Sequence, residues 1–262
     1  MDINKNLLDF ILSCANNYYE ENLKSYSLDG LQADWWEAFD FFLWHGCYQG
    51  RRDVVSAEVY KRARSVLSGF FADEHKNENF NLQRQQNWGQ VKEALDAHIG
   101  KGKVGKARDV AMIISALRFI DPLANRNIVA HSVEQIRSGR LKEHYFSLQA
   151  AVSGGGITQV GPKVAAFYLR DIVSIGDLHR LVDLESAFCL QPIDTWVQQV
   201  AEKLGIVEKD AEKEVVQREI VRMSEEYGIS AFRFNQGAWY LGTHSFDLLV
   251  EMAGRDEPMV RA

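Results

Sequence analysis

The chain has few prolines, few cysteines and no long apolar run, and each scarcity excludes something. Only four prolines occur in 262 residues, and no long alternation of apolar and polar residues appears, so sheets are disfavoured and helices should dominate. The three cysteines, Cys14, Cys47 and Cys189, are scattered at spacings that suit neither a zinc site nor a four-cysteine iron–sulfur loop, and they read as buried or idle thiols. No stretch of about 18 apolar residues occurs, and Met1 to Asp9 lacks the basic-then-apolar order of an export signal. The expectation is a soluble intracellular protein, cytoplasmic or nucleoid-associated, with no membrane partner. The seven histidines show no paired spacing with an intervening acid, so no metal or other cofactor is expected.

What is present is a core-forming composition, with 46% hydrophobic and 11% aromatic residues. That suffices for one large core or two smaller ones in contact. The formal net charge of −6 argues mildly against nucleic acid as a partner, because phosphate binding needs local positive charge. Any such surface has to be a local patch. Lys101, Lys103, Lys106 and Arg108 form one basic group, readable either as a solvated loop and helix start or as part of a phosphate-facing patch.

Apolar residues at helical spacing mark three helices. One begins at Ala107 and carries Val110, Ile113, Ile114 and Leu117. A second follows Asp194 with Val197, Val200, Ala201 and Leu204. A third is expected from Lys209 to Tyr227, with Val216, Ile220, Met223 and Tyr227 on one face and Gly228 as its stop. The polar run Asp73 to Gln86 reads as a surface loop, and no internal repeat is present.

The segment richest in chemistry runs Gly156-Ile157-Thr158-Gln159-Val160-Gly161-Pro162-Lys163, followed by an apolar helix with proline at its opening position. Successive amides of Gln159, Val160 and Gly161 at such a helix start can hold a phosphate without reading a base. Lys163 falls in the first helical turn, where the dipole disfavours an ammonium ion and favours a nucleophilic amine. Phe167 lies one turn further along the same face. In Gln191-Pro192-Ile193-Asp194-Thr195, an extended proline dipeptide delivers an acid to the mouth of another helix, where it is stabilised as an anion. Taken singly, each of these residues has a plain alternative. Lysine at a helix start is usually solvated, Asp194 can serve as an N-cap, and Phe167, Trp88, Trp196 and Trp239 are ordinary core aromatics.

Together, Val160-Gly161-Pro162-Lys163 and Pro192-Ile193-Asp194 resemble the signature of the helix-hairpin-helix DNA glycosylases, the superfamily of endonuclease III and the 8-oxoguanine glycosylases. Gly105-Lys106-Ala107-Arg108 is similar to the family's Lys-Ala element. The spacing of Lys163 and Asp194 resembles the archaeal-type 8-oxoguanine glycosylases. The resemblance implies an all-α fold of two helical subdomains flanking a cleft. Its expected segments are 1–50, packing with the C-terminal part; 51–172, a bundle ending in the hairpin; and 173–262, carrying Asp194.

The resemblance further implies a base-excision enzyme acting on damaged DNA, here expected as a monomer. Lys163 would attack the sugar, Asp194 would support it, and the same lysine would give glycosylase and lyase activity with 8-oxoguanine as favoured lesion. Another damaged base is the rival substrate, and a non-catalytic DNA-structure-binding module the rival class. Base contacts are implied for Phe167, Trp239, Gln49, Trp88, Pro192 and Asn235. Two positions depart from the pattern. Gln159 stands where the hairpin normally has its first glycine, and Asn235 stands where the archaeal enzymes place an acid that accepts from guanine.

Overall fold

The computed structural model describes residues 3–48, 52–71, 85–150 and 154–254, and among them the architecture is entirely α-helical, with 12 α-helices. In chain order these are α1 (Lys5–Asn22), α2 (Leu28–Ala33), α3 (Trp35–Cys47), α4 (Asp53–Phe71), α5 (Gln85–Ile99), α6 (Ala107–Ile120), α7 (Ile128–Arg137), α8 (Leu141–Ser147), α9 (Pro162–Ile175), α10 (Thr195–Lys203), α11 (Lys213–Glu226) and α12 (Ala231–Gly254). The chain divides into two compact units, one formed by Tyr26–Leu181 and the other by Met1–Ser25 together with Val182–Ala262.

In the Tyr26–Leu181 unit the central element is α3, whose sequence WWEAFDFFLWHGC is apolar nearly all round and therefore has to be enclosed by neighbours. It packs against α4, α6, α7 and α9. Its one acid on a buried face, Asp40, is satisfied by Arg64 Nε at 2.8 Å and by the Tyr60 hydroxyl at 3.0 Å. Burial and the Asp40 charge push the Tyr60 phenol well above its ordinary range. The helix starts are set by side chains. Asp34 Oδ1 accepts from Trp36 N at 2.8 Å, and Asn127 Oδ1 accepts from Ala130 N at 2.7 Å while its amide donates to the Leu31 carbonyl at 2.8 Å.

In the other unit α1 lies along α12. Leu7, Leu8 and Ile11 of α1 share a core with Val197, Val200 and Ala201 of α10, Val216, Ile220 and Met223 of α11, and Phe234, Ala238 and Leu241 of α12. The α1–α12 approach is close enough that a Cβ on Gly237 would stand 1.9 Å from the Ile11 carbonyl oxygen. Backbone contact at that distance excludes every side chain.

The helices expected after Ala107 and Asp194 are present, and their apolar stripes face the core. The third begins at Lys213 instead of Lys209. Residues before it form a turn, with Ala211 N bonded to Glu208 O and Asp210 at φ 60°, and Gly228 at φ 64° follows its end. Unit boundaries fall at Ser25/Tyr26 and Leu181/Val182, where 50/51 and 172/173 were expected. The physical reason is α3, whose all-round apolar surface draws residues 26–48 into the central bundle and leaves α1 alone to pair with α12. At the other end α9 runs on to Ile175, and the 3-10 turn Leu178–Leu181 folds back against it. Cys14, Cys47 and Cys189 are free thiols and buried. The expected loop Asp73 to Gln86 lies almost wholly outside the described residues, except that Gln85 and Gln86 open α5. Among the described residues no helix is long and apolar enough to cross a membrane.

Candidate functional site

Lys163 is carried by the Tyr26–Leu181 unit. Gly161 is the N-cap of α9, with extended backbone (φ −111°, ψ −173°), Pro162 opens the helix, and Lys163 follows in its first turn, partly buried. Every residue from Val164 to Val173 is buried, so α9 presents its N-terminus while the rest is enclosed. The segment leading into it is a folded turn. Ile157 N donates to Leu148 O at 2.9 Å, Thr158 N to Ser115 Oγ at 2.9 Å, and Val160 N to Ile157 O at 3.0 Å.

That last bond closes a β-turn whose third residue is Gln159, at φ 66° in the left-handed region. The position calls for glycine geometry, and glutamine adopts it. Of the three amides expected to face a phosphate, Val160 is committed within the turn. Those of Gln159 and Gly161 have no acceptor among the described residues.

Phe167 is 9% exposed. Its ring centroid lies 4.5 Å from that of His45 and 5.4 Å from that of Trp44, and the Arg170 guanidinium sits 5.0 Å over its face. Trp88, expected as another base contact, is partly buried on α5 with Arg118 of α6 5.6 Å from its ring centroid. Its recorded partner is thus Arg118, whereas Phe167 packs on Trp44 and His45. Gln49 lies outside the described residues.

Behind Phe167 is a buried charge cluster that no motif announced. Arg170 Nε donates to Asp171 Oδ1 at 2.8 Å, the His45 ring reaches Asp171 Oδ2 at 3.0 Å through Nε2, and its Nδ1 meets the Phe41 carbonyl at 2.7 Å. All three residues are at most 1% exposed. Burial alone would raise the Asp171 carboxyl, but the Arg170 guanidinium and the His45 ring together outweigh it and hold the group down at about 2. The cluster ties α9, eight residues beyond Lys163, to α3. The one signal available in the sequence is the adjacent Arg170-Asp171 pair on the otherwise apolar face of a helix.

Asp194 is carried by the other unit. It is the N-cap of α10, its Oδ1 accepting from Val197 N at 3.0 Å, and it is partly buried. The alternative capping box of Thr195 with Gln198 does not form, since the Gln198 amide turns to Glu202 and the Ala211 carbonyl. The extended segment before Asp194 is held by two buried amides. Gln217 Nε2 donates to Gln191 O at 2.8 Å and Asn235 Nδ2 to Pro192 O at 3.3 Å. Asn235, the position expected to meet a base edge, is fully buried with its amide on this loop. Trp239, one turn later on α12, is partly buried with its ring edge-on to Tyr18 at 5.6 Å. Pro192, Asp194, Asn235 and Trp239 therefore belong to one unit, and the hairpin turn, Lys163, Phe167 and Trp88 to the other.

Among the described residues no group of three or more histidine, cysteine or acidic side chains could hold a metal ion. No family model, no curated protein and no solved structure matches the chain.

Proposed function

We propose that this chain is a bifunctional DNA glycosylase of the helix-hairpin-helix type, acting on an everted nucleotide. The observation that carries the reading is the start of α9. A turn whose Gln159 and Gly161 amides have no acceptor among the described residues leads straight into Pro162 and Lys163 on an otherwise enclosed helix. Amides in that position hold a phosphate, and a first-turn lysine behind them is placed for the sugar of the same strand. The Lys163 amine attacks C1′, the bond from C1′ to the base breaks and the base leaves. Asp194 stabilises the positive charge that develops on the sugar and accepts the proton shed by the amine. The C1′–O4′ bond of the resulting aminal then opens, O4′ taking up a proton as the nitrogen lone pair forms the Schiff base; this loses a proton from C2′, and β-elimination expels the 3′ phosphate. An oxidised purine, 8-oxoguanine first, is the substrate this reading favours. Asn235, turned to the Pro192 carbonyl, favours another damaged base as the second reading.

Incubation with duplexes bearing 8-oxoguanine, thymine glycol, uracil or hypoxanthine, with and without borohydride, tests both readings. The expected result is base release and a covalent trapped adduct with the wild type, both lost in Lys163→Gln. Asp194→Asn is expected to slow release while keeping the fold, because asparagine caps a helix about as well as aspartate. Tight lesion binding with no release from any duplex would establish a non-catalytic binding module instead.

A further inference from the structure

The turn joining α5 to α6 is basic and has no acid of its own. Residues 97–108 contain no aspartate or glutamate, yet include Lys101, Lys103, Lys106 and Arg108. The flanking acids are both committed. Asp96 accepts from Lys92 Nζ, and Asp109, 1% exposed, accepts from Lys106 N at 2.7 Å. Elsewhere cations on helix surfaces meet acids one turn away, as in Lys24 with Glu20, Arg62 with Glu58 and Arg222 with Glu219. Lys101, Lys103 and Lys106 are exposed and have no ion-pair partner among the described residues. Arg108 contributes a buried Nε that likewise has no acceptor among them.

The backbone holds this group in a compact shape. Lys103 N bonds to Gly100 O at 3.0 Å, Gly102 takes φ +80°, and a Cβ on Gly105 would lie 2.4 Å from Ile99 O. Folding the turn back on the end of α5 gathers like charges that no acidic side chain of the turn offsets, a repulsion which a polyanion would relieve. The turn also shares an element with the hairpin. Ser115, which accepts from Thr158 N, lies eight residues along α6 from Ala107, about 12 Å at 1.5 Å per residue. That is the scale of one groove of B-DNA, so phosphates on either side of a groove match the two positions.

We propose that the α5–α6 turn, through Lys101, Lys103 and Lys106, is a second DNA-backbone contact surface, separate from the hairpin and indifferent to base identity. This rests on the glycosylase reading. It gives a protein of net charge −6 the local positive field that reading requires.

The test is anisotropy binding of a labelled undamaged duplex between about 50 and 200 mM salt. The variants are Lys101→Gln/Lys103→Gln/Lys106→Gln and a control, Lys203→Gln/Lys209→Gln/Lys213→Gln, which removes the same charge from exposed lysines interleaved with Glu202, Glu208, Asp210, Glu212 and Glu214. Loss of three phosphate contacts lowers the slope of log affinity against log salt by about 2.7, so the wild-type advantage shrinks about forty-fold across that range. The control slope should match the wild type, and the Lys→Arg triple at the turn should restore the slope. A turn variant no different from the control overturns the proposal. Base release by the wild type, read on the same preparations with lesion duplex, separates the failures. Release with an unaltered turn slope removes this surface alone, while neither release nor binding removes both readings.

Discussion

Replacing Asp171 by asparagine keeps the shape of the buried cluster and removes its negative charge. In the wild type the carboxylate faces Arg170 Nε at 2.8 Å and His45 Nε2 at 3.0 Å, with the guanidinium side chain 2% and the carboxyl 0% exposed. An amide still accepts one hydrogen bond, but its NH2 opposes a donor, and the guanidinium loses its counter-charge where water cannot replace it. Breaking a buried pair from one side costs about 3–5 kcal/mol. A carboxyl held at about 2 against an ordinary 3.8 gives a second measure of the charge-dependent part, about 2–3 kcal/mol at neutral pH. Because the folded value is depressed, that contribution is fully present above about pH 4 and is lost as the pH falls toward 2. In urea, with a slope of about 3 kcal/mol per molar, Asp171→Asn should shift the midpoint down by about 1–2 M at pH 7. The gap between variant and wild type should narrow by about 2–3 kcal/mol by pH 2. A midpoint within about 0.3 M of wild type, or a gap that does not change with pH, refutes the reasoning.

Gly237→Ala would place a methyl 1.9 Å from the Ile11 carbonyl oxygen. Since the neighbour is helix backbone, α1 and α12 have to separate, at a cost of about 3 kcal/mol and a melting temperature lower by about 10 °C; a change of under about 2 °C would show that the helices give way more easily than their packing implies. Gln159→Gly acts in the opposite sense. It removes the left-handed penalty at φ 66°, offset in part by the larger entropy of glycine in the unfolded chain, and should stabilise by about 0.5–1 kcal/mol in a denaturant melt without reducing borohydride trapping.

Much of the fold was legible in the sequence because amphipathic periodicity is local. The stripes of α6 and α10 were readable within a dozen residues, and so were Pro162 and Gly228 as helix punctuation. The start of α11 was misplaced by four residues because Lys209 to Glu212 carry the same charged exterior as the helix that follows. The unit boundaries were not legible. The resemblance assigned residues 1–50 as a whole to packing with the C-terminal part, and nothing within them reveals that α1 alone does so while α3 belongs to the bundle, a choice decided by partners far away along the chain. At the candidate site the sequence marked Lys163 and Asp194 because both sit at proline-led helix openings, and a helix opening is a short-range pattern.

The buried polar residues that fasten the surrounding backbone and helices could not be found in that way. His45 and Asp171 are 126 residues apart, and Asn235 lies 43 residues from the Pro192 carbonyl that it holds. Each is polar and fully buried: the first pair ties the middle of α9 to α3, and Asn235 with Gln217 holds the strand-like approach to Asp194. A buried polar group is tolerated only where its partners are in place, so such clusters are costly to keep and rigid once made. Asn235, a base contact only by the resemblance, is one such buried group. The side chain lies one turn before Trp239 on α12, and its amide donates to the Pro192 carbonyl of the extended loop.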